Sequence, residues 1–230
     1  MKTIAIALLS FCLILTKKGQ MWYSLENVYL LECSVIALGG FLLSLETKSE
    51  PIKGKFRMNV FSKAIPSGLL ILIAAIIPVV LNAVPKWFGV SPIIQNENVG
   101  SVISILTVLA GLTVTFSLCR PFNKYRKITF AVVLLLTLFL AFAFPNTFIG
   151  GKPTNLKMIF DLTLFKEFLQ PWNSQVFKNL ISNYQCLIVI ALFVSLAIPL
   201  YLFLIKFVNK TLLKYAIKLD EKLEKKEETE

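Results

Sequence analysis

The sequence predicts an all-α membrane protein: a bundle of six transmembrane helices, an amphipathic outer-interface helix and a basic cytoplasmic C-terminal helix extension. Composition is the first observation. Of the 230 residues 56% are hydrophobic and 16% charged, and the mean hydropathy is +0.73, which exceeds what one soluble core can bury. Segmentation is the second. Six apolar stretches lie near the roughly 17–25 residues of a membrane-crossing helix, at 3–16, 27–45, 65–84, 99–119, 128–145 and 186–205.

These segments are predicted as helices because a backbone amide in lipid finds no water and must be satisfied inside its own segment. The first segment is the shortest, and it has a second interpretation. Lys2 followed by an apolar run is also typical of a secretory signal peptide. Against this, no small-x-small cleavage site precedes Thr16, Lys17 and Lys18.

The distribution of basic residues predicts the orientation. With both termini in the cytoplasm, 17 of the 24 Lys and Arg lie on the inner side and 7 on the outer side. This bias is the one expected of cytoplasmic loops. The chain is therefore predicted to be a multi-pass protein of the cell membrane, and its net charge of +11 is explained by anionic lipid headgroups without any nucleic acid.

The connection at 146–185 differs from the short basic loops. Its residues 156–169 carry apolar side chains at helical spacing, and Trp172 follows as an aromatic anchor. This pattern predicts a helix lying in the outer interface. A plain surface helix that covers the bundle and a docking site for a partner both remain open.

The C-terminal residues show a lysine at every fourth position, which predicts that the last transmembrane helix continues into the cytoplasm. We divide the chain into a transmembrane domain, 1–210, and a basic and charged tail, 211–230. The lysines of this pattern are Lys206, Lys210, Lys214, Lys218, Lys222 and Lys226.

Catalytic chemistry has no candidate residues in this sequence. The chain has four cysteines, no C-x-x-C pair and no histidine, so the usual ligands of a zinc site are not assembled. The cysteines are interpreted as small hydrophobic residues within or at the edges of helices. No nucleophile–base pair and no phosphate-binding loop is present either.

The stretch LLECSVIALGGFLLSLETKSEPIKGKFRMNV, residues 30–60, joins an apolar helix to a basic loop. It resembles the sixth transmembrane helix and the following loop of bacterial cation-translocating P-type ATPases, where LIDLFTIGIPAFFLALEPN continues into RIKGKFLRNVL. The N-terminal MKTIAIALLS is similar to the KTIFSLLLALL of the fifth helix in that family. The chain thus resembles the C-terminal membrane domain, the last six helices, of such a pump.

The resemblance implies a transport role that this chain performs only with a partner. The DKTGT phosphorylation motif, the TGES-like loop and the nucleotide-binding domain of the family are not in this sequence. We therefore expect no ATP site, no cofactor and no enzymatic activity of the chain on its own. Two functions remain open: the membrane portion of a split or truncated pump, served by a separately encoded catalytic half, or a stand-alone or decayed membrane protein without transport activity.

The resemblance also suggests a cation site in the second segment. Against the calcium-pump version of this helix, VNLxTDGxP, Glu32 takes the place of the Asn, Ile36 that of the Asp and Gly39 that of the Pro. The Asn and Asp are cation ligands in pumps that carry the motif. Glu32, with Asn27 and Ser34 nearby, is therefore the candidate ligand set. A glutamate that reaches the interface, or is hydrogen-bonded internally, is the alternative.

Overall fold

The computed structural model describes residues 30–46, 56–89, 91–143, 149 and 175–227. The regular structure of these residues is entirely helical. Two of the predicted features, the segment at 3–16 and the interface helix at 156–169, lie outside the described residues. The six helices are α1 (Leu31–Ser44), α2 (Phe56–Trp87), α3 (Asn96–Leu118), α4 (Lys124–Ala143), α5 (Gln175–Ser182) and α6 (Tyr184–Glu227).

Four of these helices are long and apolar enough to cross a membrane. Their spans are Ser62–Pro85, Asn96–Leu118, Lys124–Ala143 and Tyr184–Thr211. They coincide with the last four predicted segments, so this part of the prediction is confirmed in length and composition. α1 is a shorter apolar helix, Leu31–Ser44, and it coincides with the second predicted segment.

α1 changes its geometry along its length. From Leu31 to Gly39 it is a π-helix, and from Gly40 to Ser44 it is an α-helix. The π form, with hydrogen bonds from residue i to i+5, is rare and usually confined to a single turn at functional sites. A π segment of nine residues is therefore unusual, and it distinguishes α1 from the other described helices.

α3 is the central helix, and the larger of two apolar clusters surrounds it. This core cluster joins α3 to α2 and α6. Sixty-one per cent of the most apolar stretch of α3 is buried, against 17% for α6, so α3 is much the more buried of the two among the described residues. The large side chains that are fully buried in this cluster include Leu70, Ile94, Val99, Ile103 and Leu106.

The second cluster, which we call the wedge, is smaller and joins α1 to α3 and α4. It is centred on Leu30, Leu31, Val35, Val108 and Val133. α1 packs against both α3 and α4, whereas α3 and α4 touch each other only slightly. Within the described residues, α1 therefore makes the main contact between α4 and the other helices.

Polar side chains close the α2–α3 connection. The Nδ2 of Asn82, which is fully buried, donates to the carbonyl oxygen of Ile94 over 2.6 Å and to Oδ1 of Asn96 over 3.0 Å. An amide buried in an apolar bundle is costly unless it is hydrogen-bonded. These bonds satisfy Asn82 and fix the turn against the end of α2.

α6 is a single helix of 44 residues, about 66 Å long at 1.5 Å per residue. A bilayer with its headgroup layers is about 40–45 Å thick. The helix therefore extends well beyond any membrane that it crosses, which confirms the predicted helical continuation after the last span.

Candidate functional site

Glu32 lies in the π segment of α1 and is half-buried. Its position in the bundle follows from its neighbours, since Leu31 and Val35 pack directly onto Gly111 of α3. Gly111 is nearer to the Leu118 end of α3 than to the Asn96 end. Glu32 is thus in the first turn of the described α1, beside the residues that pack onto the second half of α3.

Ser34, the second predicted ligand, is fully buried. Its Oγ donates to the carbonyl oxygen of Leu30 over 2.5 Å, so only the lone pairs of the hydroxyl remain to accept a hydrogen bond or a cation. Residues two apart on a helix do not face each other, and the structure does not bring Ser34 and Glu32 to one point. Asn27, the third predicted ligand, lies outside the described residues.

Oxygen ligands near α1 come from hydroxyl and carbonyl groups. Among the described residues, no group of three or more His, Cys, Asp or Glu side chains is placed to hold a metal ion. Hard cations such as calcium take six to eight oxygens. A cation beside Glu32 would accordingly need most of its ligands from groups other than the described acidic side chains.

Small residues let the helices of the wedge approach closely. A side chain built on Gly111 would overlap Cδ1 of Leu31 and would lie 3.2 Å from Cγ1 of Val35. A Cβ atom built on Gly39 would lie 3.6 Å from Cγ2 of Val133 and 4.0 Å from Cγ2 of Thr115. Small residues at helix interfaces in membranes have this effect generally.

The sequence reasoning singled out Gly39 but missed Gly111. A signal for Gly111 was present, because small residues recur along α3 at steps of three or four, the spacing of one helix face. They are Gly100, Ser104, Thr107, Gly111 and Thr115.

A second polar arrangement, which we call the clasp, joins the end of α1 to the start of α4. The Nε of Arg126 donates to both carboxylate oxygens of Glu46 over 2.9 Å. The hydroxyl of Tyr125 donates to the carbonyl oxygen of Leu42 over 2.7 Å. Acceptors at the end of α1 and donors at the start of α4 thus hold the two helices together at this end.

Cys119, the residue after α3, is buried beside the clasp. Burial raises the pKa of its thiol above the ordinary value of 9.0, and the Glu46 carboxylate adds to the increase while the Arg126 guanidinium opposes it. The thiol is therefore neutral at physiological pH and packs as a small apolar group. Sequence reasoning identified this packing role but not the clasp.

Comparison of the chain with protein-family models, with curated proteins and with solved structures gives no match.

Proposed function

We propose that this chain is the membrane portion of a cation-transporting P-type ATPase whose phosphorylation and nucleotide-binding domains are on a separate polypeptide. In this proposal it has six spans with both termini in the cytoplasm, and it is inactive alone. One observation carries the proposal. The segment with π geometry, Leu31–Gly39, coincides with the stretch that resembles the cation-ligand motif of the pumps.

The π geometry supports a cation site at Glu32. Turns with π geometry inside helices are frequent at functional sites, and this segment contains Glu32. A carboxylate oxygen is among the ligands that a hard cation takes.

The test requires the chain together with its partner. The partner would be encoded by a neighbouring reading frame with a DKTGT motif, and the two are expressed together. Membranes are incubated with radiolabelled ATP and Ca²⁺, and acid-stable phosphoenzyme and ⁴⁵Ca²⁺ uptake are measured. We expect both signals to require this chain, and Glu32→Gln to abolish them.

Cys33→Ala is the matched control, because Cys33 is the exposed neighbour of Glu32. Leu31 is a poor control, since it is buried against Gly111 and its truncation would disturb packing. The phosphoenzyme and the uptake should survive Cys33→Ala. Signals that do not depend on this chain would contradict the pump proposal, and signals unaffected by Glu32→Gln would move the cation site elsewhere.

A second candidate function is a stand-alone membrane protein without transport activity. It is favoured by the buried hydroxyl groups around α1, which donate to carbonyl oxygens of their own helices: Ser34 to Leu30, Thr115 to Gly111 and Thr137 to Val133. These donors are satisfied without an ion. Normal accumulation of the chain with no chain-dependent phosphoenzyme would favour this candidate.

A further inference from the structure

The turn between α3 and α4 carries a basic surface that neither proposed function uses. It connects the spans Asn96–Leu118 and Lys124–Ala143, so it lies where a membrane meets water. Arg120, Lys124 and Lys127 are exposed there. Exposed Phe122 and Tyr125 lie between them, and aromatic residues of this kind are enriched at the headgroup level of membranes.

The positive charge of this surface is not cancelled within the described chain. The acidic side chain that reaches the turn, Glu46, already accepts two hydrogen bonds from Arg126. Within the part of the chain that the structure describes, no carboxylate lies in ion-pair distance of Arg120, Lys124 or Lys127. Among the described residues, the three cations therefore have no carboxylate partner.

An aromatic cluster holds Arg120 at the end of α3, and Lys124 and Lys127 follow in the first turn of α4. The Arg120 guanidinium lies 4.8 Å from the ring centroid of Phe116, and that ring is 5.2 Å from Phe122 and 5.5 Å from Phe130. Phe130 is three residues after Lys127, and Lys127 is three after Lys124, so these residues follow one side of α4.

The turn is also fixed in shape, which reduces the cost of ordering its side chains around a ligand. Backbone bonds of 3.0 Å from Cys119 to Thr115 and of 3.2 Å from Arg120 to Ser117 close the end of α3. The clasp holds the start of α4 from the other side.

We infer that Arg120, Lys124 and Lys127 form a binding surface for the headgroup of an anionic phospholipid. The membrane boundary supplies this ligand at high local concentration, and its phosphate complements three cations while its chains lie along the exposed apolar side chains of α4, such as Ile128 and Val132. Basic pockets beside transmembrane helices bind anionic headgroups in this way. The inference is independent of any transport activity.

The experiment uses the full chain purified in neutral detergent. Binding of phosphatidylglycerol and of phosphatidylcholine is titrated separately by native mass spectrometry. We expect phosphatidylglycerol to bind at least tenfold more tightly, and each neutralised cation to weaken it about fivefold. The triple variant Arg120→Gln, Lys124→Gln, Lys127→Gln should lose on the order of a hundredfold.

The control removes equal charge at scattered sites. Lys63→Gln, Lys206→Gln, Lys210→Gln changes three exposed lysines of α2 and α6 and should leave the preference nearly unchanged. Equal losses in both triple variants would show diffuse attraction and overturn the inference. So would displacement of the lipid by millimolar inorganic phosphate, which would identify a soluble anion as the ligand.

Circular dichroism and gel filtration establish that the variants are folded. If the triple variant does not fold, the single variant Lys127→Gln decides the question. It should weaken phosphatidylglycerol about fivefold without affecting phosphatidylcholine. An unchanged affinity for phosphatidylglycerol would overturn the inference.

Discussion

The core cluster of α2, α3 and α6 and the wedge of α1, α3 and α4 use the same central helix in different ways. Toward the core cluster, α3 presents large side chains such as Ile103 and Leu106. Toward the wedge, it presents Gly111 and Thr115. In lipid, where hydrophobic burial does not drive helices together, packing and close approach determine association. We conclude that large side chains of α3 fix the core cluster, while in the wedge large side chains of α1 pack onto the small Gly111 of α3.

The largest predicted effect is the loss of a buried side chain in the core cluster. Leu106→Ala should lower the free energy of unfolding by about 2–4 kcal/mol, because it leaves a cavity among fully buried neighbours. Leu135→Ala on α4, which is 66% exposed, should change it by less than about 0.5 kcal/mol. Equilibrium unfolding in mixed micelles measures both. Similar losses in the two variants would mean that α3 is not the core helix.

The second prediction concerns the wedge, where adding an atom should be harmful. Gly111→Ala should destabilise by about 1–2 kcal/mol through overpacking against Leu31 and Val35. Gly40→Ala, with nothing within 4 Å of the added atom, should be neutral or stabilise by about 0.5 kcal/mol. The same unfolding assay compares the two.

A double variant tests the mechanism of that loss. Leu31→Ala in combination with Gly111→Ala should cost less than the sum of the two single changes, because removing the Leu31 side chain relieves the overlap. Simple additivity would place α1 farther from α3 than the structure has it.

The third prediction tests whether the clasp stabilises the wedge and not the core cluster. A double-mutant cycle of Glu46→Gln and Arg126→Gln should give a coupling free energy of about 1 kcal/mol that falls as salt is added. The side chains of Arg126 and Glu46 are 22% and 15% exposed, so water screens the ion pair only partly. Hydrogen exchange should accelerate in α1 while α3 is unchanged. Equal acceleration in both helices would contradict a separate role for the wedge.

The smallest predicted effect lies in the core cluster. The hydroxyl groups of Ser67 and Tyr201 are 3.2 Å apart across α2 and α6. Tyr201→Phe should cost about 0.6 kcal/mol, the average for hydrogen bonds between membrane helices. Tyr184→Phe, at a side chain that is 67% exposed, is the control. A loss above that of Gly111→Ala would show that polar bonds, and not packing, dominate this cluster.

The sequence by itself determined the helical class and the approximate limits of α3, of α4 and of the apolar parts of α2 and α6, but not that α2 begins as early as Phe56. Long uncharged runs in a chain that must satisfy its own backbone leave few alternatives. Glu32, Asn27 and Ser34 stay predictions as cation ligands, and the six-span count and the side on which each terminus lies stay predictions too.

Only the tertiary structure decided which helix is central and which residues meet. The apolar runs of α3 and α6 are both long and apolar enough to cross a membrane, yet among the described residues α3 is mostly buried and α6 mostly exposed, because burial depends on which helices pack together. The pairing of Glu46 with Arg126 and the overlap forbidden at Gly111 join residues far apart in sequence. Spacing along the chain carries no information about such contacts, since they arise only when helices pack.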